Sequence, residues 1–155
     1  NMRVLLLSLF LVIAVVSAGP FHNSFGRYTY HVGGAKEFRS ASPSSSRAVY
    51  DLIESSDDDL YVFAFYIKGT KHEEVISEVE GTLASQKDVF DQIVYAPVYA
   101  RDDYQYKGIL YDLDILEEPW VKYPYYLVVK DESGFLINGD DSADLIKQRI
   151  TELAN

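Results

Sequence analysis

Leu60-Tyr61-Val62-Phe63-Ala64-Phe65-Tyr66-Ile67 is apolar at every alternate position on both sides, and it runs directly into Lys68-Gly69-Thr70-Lys71-His72. Successive side chains of a strand point to opposite faces. A run with no polar alternation therefore predicts a strand covered on both sides, at the middle of a sheet. Gly69 lets the chain turn. Val75, Ile76, Val79 and Leu83 then recur at helical spacing, starting near Glu73. Gly81 interrupts that stripe at a cost of about 1 kcal/mol relative to Ala, and a bend is expected there.

Toward the C-terminus, Ile93-Val94-Tyr95-Ala96-Pro97-Val98-Tyr99 is another strand candidate. Pro97 has no N–H to give to a ladder, which predicts an edge, a bulge or a strand end. Residues 109–116 support two readings. Ile109, Tyr111, Leu113 and Ile115 alternate as in a strand, whereas Leu110, Leu113 and Leu116 are spaced as in a helix. Glu117-Glu118-Pro119 ends the stretch in either case. Tyr123-Pro124 opens another apolar strand over 125–129. It is expected to form a hairpin with Phe135-Leu136-Ile137 through Asp131-Glu132-Ser133-Gly134. Asp140-Asp141-Ser142 offers N-caps for a last helix with Leu145, Ile146, Ile150 and Leu153 on its apolar side.

Toward the N-terminus, Ser55-Ser56-Asp57-Asp58-Asp59 reads as a solvated acidic loop, because it lacks the ligand series and glycine of a calcium loop. Ala48, Val49, Leu52 and Ile53 mark a short helix behind a Ser-rich linker, 40–46, whose serines are candidate N-caps. Arg27-Tyr28-Thr29-Tyr30-His31-Val32 is β-prone and is a candidate first strand, ended by Gly33-Gly34. Met2-Arg3 precedes an apolar run, 4–16, followed by Val16-Ser17-Ala18-Gly19. A short basic start, an apolar core and small residues before the break predict a secretory signal peptide cut after Ala18. The run is shorter than the roughly 20 residues of a bilayer-spanning helix, and a short retained anchor is the alternative. The chain thus divides into a leader or anchor (1–18), an N-terminal extension with a possible strand and the Ser-rich linker (19–44), and a folded domain (45–155).

The 155 residues suit one domain, and 48% hydrophobic content supports a packed core. With 14 basic against 24 acidic residues the net charge is −10. That argues against a nucleic-acid backbone or an anionic lipid surface as partner, since both need clustered Lys and Arg. There is no cysteine, which excludes disulfides, thiolate nucleophiles and thiol–disulfide exchange. His22, His31 and His72 do not pair at helical spacing, so no metal site is expected. Lys68-Gly69-Thr70-Lys71 and Val32-Gly33-Gly34-Ala35-Lys36 both lack the spacing of a phosphate-binding loop. No serine sits in a Gly-x-Ser-x-Gly elbow. Glu73 and Glu74 beside His72 read as complements of a helix dipole. No catalytic residue and no cofactor is predicted.

The order strand, helix, strand, short element, Pro-led strand, hairpin and helix covers about 45–153. Val121-Lys122-Tyr123-Pro124-Tyr125-Tyr126-Leu127-Val128-Val129-Lys130-Asp131 lies within it. This combination resembles the thioredoxin-like superfamily, the quoted segment being similar to the one around that family's cis-proline. The absence of cysteine makes it more similar to the non-redox domains of the protein disulfide isomerase group. The resemblance implies an α/β fold with a central mixed β-sheet flanked by helices on both faces. It places Lys68 to Lys71 where the family carries Cys-x-x-Cys, and excludes redox and isomerase activity here. It also implies a bend at Pro124, cis being only about 0.5–1 kcal/mol uphill for an X–Pro bond. Such a bend would leave the Tyr123 backbone free to pair with an extended peptide. Pro97 and the Gly-rich opening segment depart from the family pattern and bear on the far edge of the sheet.

Tyr and Trp are frequent interface anchors, and the chain has 13 Tyr and 8 Phe. On a strand Tyr123 and Tyr125 should share one face and Tyr126 the other. Tyr104-Gln105-Tyr106 is expected to be exposed. The expected partner-binding surface is Lys68, Gly69, Thr70, Lys71 and His72 with Trp120, Tyr123 and Pro124. The function this implies is non-catalytic binding of protein partners or extended peptide segments, chaperone- or escort-like, in the secretory-pathway lumen or outside the cell. The alternative is a structural subunit of a larger membrane assembly, held by an uncleaved N-terminal helix. An acidic calcium buffer similar to calsequestrin rests on charge alone, and an enzyme with non-cysteine chemistry has no motif behind it.

Overall fold

The doubly apolar run forms a strand, β3 (Leu60–Tyr66), that is buried throughout except at its last residue. It lies between two other strands, parallel to β4 (Gln92–Tyr99) and antiparallel to β5 (Tyr125–Lys130). The computed structural model describes residues 5–6, 37–86, 92–101, 103–131 and 133–154. The remaining elements are β1 (Leu5–Leu6), β2 (Glu37–Ser40), α1 (Ser46–Ile53), α2 (His72–Ser85), a 3-10 turn (Tyr104–Tyr106), α3 (Lys107–Asp112), α4 (Glu117–Lys122), β6 (Ser133–Asn138) and α5 (Ser142–Ala154). The molecule is α/β, with a mixed sheet in the order β1-β6-β5-β3-β4-β2. Strands β2, β3 and β4 are parallel, and β5, β6 and β1 join antiparallel.

Alternation along β3 sorts the core into two clusters. Tyr61, Phe63 and Phe65 are buried with Val49, Leu52 and Ile53 of α1, Ile109 of α3 and Trp120 of α4. Leu60, Val62 and Ala64 are buried with Ile76, Val79 and Leu83 of α2 and Ile146 and Ile150 of α5. Tyr125 falls in the first cluster and Tyr126 in the other, as the strand alternation requires. Both are core residues rather than interface anchors.

Pro97 is in register with Ala64 in the interior of the sheet, not on an edge strand. Its missing donor is nevertheless harmless. The β2–β4 ladder ends at the pair Ser40 and Tyr95, followed by Ala41 N–H donating to Tyr95 O at 2.9 Å. Residues two apart on a strand direct their backbone groups to the same side, so the nitrogen of Pro97 points where β2 has already stopped. The edge character is local to that position.

Residues 109–116 settle as helix followed by turn. Ile109 and Leu113 are buried while Tyr111 is 86% exposed, which defeats the strand alternation. Glu117-Glu118-Pro119 starts a new helix rather than only ending the stretch. Leu116 is the extended N-cap, and Pro119 falls in the first turn of α4, where no N–H is needed. The hairpin turn is tighter than expected. Lys130 pairs with Ser133, Gly134 already belongs to the ladder, and Asp131 adopts the left-handed φ of 54° that such tight connections demand. Ser45 caps α1 through Ala48 N–H at 3.1 Å. Gly81 lies inside α2, where an added Cβ would meet nothing within 4 Å.

The acidic loop is only partly solvated. Asp57 and Asp58 are exposed, but Asp59 is 5% exposed and takes the Arg39 guanidinium at 2.6 Å. Arg39 and Tyr61 both pair with Val94 from opposite sides, so the ion pair spans β4 and ties β2 to the start of β3. The candidate strand at 27–32 lies outside the described residues. Of the apolar run 4–16, Leu5–Leu6 is extended, not helical, and pairs with Leu136 and Phe135 of β6. It covers backbone groups that an edge strand would otherwise present unpaired.

Candidate functional site

The C-terminal end of β3, the start of α2 and the whole of α4 meet at the residues nominated from sequence. The turn after β3 is held by its own side chains. Ile67 N–H donates to His72 Nδ1 at 3.1 Å, and Thr70 Oγ1 donates to Ile67 O at 2.6 Å. Thr70 Oγ1 also accepts from His72 N–H at 3.2 Å. Ile67 has just left the ladder, and these side chains replace the partners it lost. Gly69 makes the reversal with a φ of +72°, a region that costs other residues about 1–2 kcal/mol.

His72 is 2% exposed. Since Nδ1 accepts, the proton of the neutral ring is on Nε2. That nitrogen lies toward the carbonyls of Val121 and Lys122 but makes no well-formed hydrogen bond. Burial disfavours the imidazolium and outweighs the pull of those carbonyls, so the pKa of His72 is lowered from its ordinary value. His72 ties the end of β3 to the start of α2, with Nε2 turned toward α4. It is not a surface contact, as had been expected of it.

Trp120 is likewise internal. It is 3% exposed, and its indole Nε1 donates to Phe65 O at 2.9 Å. A buried indole must satisfy its N–H, and a β3 carbonyl does so here. Pro124 is also buried, and no peptide bond among the described residues is cis. The backbone of Tyr123 is not free for an extended peptide. Its N–H donates to Pro119 O at 3.1 Å, and its carbonyl accepts from Asn138 Nδ2 at 2.8 Å. Asn138, which sequence reasoning did not single out, also reaches Pro124 O at 3.2 Å and Pro119 O at 3.3 Å. An asparagine at the end of a hairpin strand gives no signal of its own that it will gather three carbonyls.

The outward-facing remainder comprises Lys68, Gly69, Thr70 and Lys71, all exposed, the partly buried Tyr123, and the neighbouring exposed Val121 and Lys122. Lys68 Nζ sits 5.5 Å from the ring centroid of Tyr99, which itself lies 6.0 Å from the ring of Tyr66. The surface is therefore cationic with an aromatic floor beside it. It presents hydrogen-bond donors and ring faces. Glu73 and Glu74 occupy the first turn of α2, where they complement the helix dipole. Among the described residues no three His, Asp or Glu side chains converge to hold a metal ion. No helix among them is long and apolar enough to cross a membrane.

No protein-family model matches the chain, and no curated protein matches it significantly.

Proposed function

We propose that this chain is a non-catalytic protein-binding domain of thioredoxin-like architecture, related in design to the non-redox domains of the protein disulfide isomerase group and acting in the secretory pathway. The observation that carries the reading is the sheet. Leaving β1 aside, the order β6-β5-β3-β4-β2, with β2, β3 and β4 parallel and β5 and β6 antiparallel, is the order and polarity that a thioredoxin-like sheet requires. The division of the core between α1, α3 and α4 on one side and α2 and α5 on the other supports helices on both faces.

Without cysteine the position after β3 has no redox chemistry to offer, and its polar side chains hold the strand end instead. What it can offer a partner is the cationic loop of Lys68 and Lys71 with the side chain of Tyr123. Because the Tyr123 backbone is engaged internally, partners are gripped through side chains rather than by strand addition. The test uses the full chain and a permanently unfolded client, a reduced and carboxymethylated secretory protein that carries extra negative charge. Light scattering should show the domain slowing the client's aggregation. The triple change Lys68→Ala, Lys71→Ala and Tyr123→Ala should remove most of that effect with circular dichroism unchanged. Equal protection by the variant would overturn this surface.

A further inference from the structure

Another surface lies on α3 and the beginning of α4. The 3-10 turn leads straight into α3, so helical spacing sorts the side chains. Tyr106, Ile109 and Leu113 are buried. Gly108 and Asp112 face α1, since an added Cβ at Gly108 would lie 3.3 Å from Ser46 Oγ and Asp112 accepts from the Tyr50 hydroxyl. Tyr104, Lys107 and Tyr111 are left pointing away from the core. Tyr104 is 77% and Tyr111 86% exposed. With Leu116 and Val121 they are the exposed large hydrophobic residues among those described, all within 104–121. Val121 lies beside the surface of Lys68 and Tyr123, whereas Tyr104, Tyr111 and Leu116 lie on or next to α3, which makes that helix a candidate interaction site.

The charges indicate what it takes. Lys107 Nζ lies 4.9 Å from the Tyr104 ring centroid, so that ring already receives a cation. The Tyr111 ring has no ring or cation partner among the described residues. One turn on, Asp114 (φ 53°) donates its backbone N–H to Tyr111 O at 3.0 Å. The carboxylates of Asp114 and of Glu118, in the first turn of α4, have no hydrogen-bond or ion-pair partner among the described residues. Their neighbour Glu117, by contrast, is paired with Arg101 at 2.6 Å.

We propose that the outer face of α3, with the start of α4, docks an arginine-bearing apolar segment of another protein. Tyr104 and Tyr111 are its anchors, and Asp114 and Glu118 pair with its cations. A guanidinium both stacks on an open aromatic ring and pairs with a carboxylate, and Tyr111 and Asp114 stand three residues apart with their backbones hydrogen-bonded. A chain of net charge −10 attracts such a segment from a distance. The cationic loop of Lys68 and Lys71 repels it, so the two surfaces select opposite charges and can be tested separately.

The probes are three fluorescent synthetic peptides of equal length: amphipathic Arg/Leu, amphipathic Glu/Leu, and Arg/Ser without apolar residues. Anisotropy titrations with the full chain should show binding of the Arg/Leu peptide, weakened by salt. The other two should bind about tenfold or more weakly. Tyr104→Ala with Tyr111→Ala should lose about tenfold in affinity, the scale of interface anchors. Asp114→Lys with Glu118→Lys should turn the preference toward Glu/Leu. Lys68→Ala with Lys71→Ala should leave Arg/Leu binding intact, so that failure at one surface is distinguishable from failure at the other. All four substituted positions of the α3–α4 surface are exposed, and circular dichroism checks that the fold persists. Absence of Arg/Leu binding, or equal binding by the Tyr variant, overturns the proposal. So does a dimer in sedimentation that Tyr111→Ala dissociates, because the face would then belong to another copy of the chain.

Discussion

Two connections leave the C-terminal ends of the neighbouring parallel strands β3 and β4, and they use their side chains in opposite ways. After β3 the chain turns inward. His72 and Thr70 bind the backbone of Ile67, Trp120 reaches across from α4 to Phe65 O, and residues 68–71 are left at the surface. After β4 the chain keeps Tyr106 inside, with its hydroxyl donating to Pro43 O at 2.7 Å, and sends Tyr104 and Tyr111 out. The connection after β3 is built of residues whose types suggest contact throughout, yet His72 and Thr70 are spent on holding the strand end, and the lysine side chains are what it leaves for a partner. The connection after β4 has the pattern of an ordinary amphipathic stretch, yet it carries the exposed aromatic surface. Residue type alone does not separate contact from support. The presence of an unpaired backbone group within reach does.

Substitutions should separate the two connections by size of effect. Trp120→Ala removes a fully packed indole and strips Phe65 O of its donor. Urea unfolding should show a loss of about 3–5 kcal/mol, and Trp120→Phe a smaller one. A loss as small as that of a surface change would break the contrast, because Trp120 would then not be holding β3 to α4.

His72→Ala leaves the Ile67 N–H buried without an acceptor and should cost about 1–3 kcal/mol. The same residue sets a pH dependence. His72 is held neutral in the fold, with its pKa lowered. At a pH above its ordinary value of about 6.5, neither the folded nor the unfolded chain carries the proton, and the full contribution is present. As pH falls through that value the unfolded chain takes a proton that the folded one refuses, and stability declines until the folded pKa is reached. The difference in melting temperature between the native protein and His72→Asn should therefore shrink as pH is lowered from about 7.5 to about 5.5. A difference that stays constant would mean that His72 titrates alike in both states.

Gly69→Ala forces a side chain into the left-handed region and should cost about 1–2 kcal/mol. No neighbour lies within 4 Å of the added Cβ, so the whole loss would be conformational. At the other connection, Tyr111→Ala and Tyr104→Ala should each change stability by no more than about 0.5 kcal/mol. A larger loss at Tyr111 would show that α3 depends on that ring and would sharpen the boundary between support and surface.

Much of the sheet could be read without coordinates because its signals are local. The run from Leu60 states by its own composition that it is covered twice. Tyr125 and Tyr126 had to part to opposite faces. The stripe of α2, the stripe of α5 and the hairpin at Asp131 all follow from spacing and turn chemistry. The missing cysteines alone exclude thiol–disulfide exchange within this chain. Other features depended on partners distant in sequence. Pro97 sits in the interior of the sheet because β2 stops short of it. Asp59 is buried because Arg39 reaches it over Val94. Tyr123 lost its free backbone because Asn138, at the end of β6, satisfies its carbonyl. Periodicity fixes which way a side chain points relative to its own backbone. Whether it meets water, a carbonyl or another chain depends on what the rest of the molecule brings to that point.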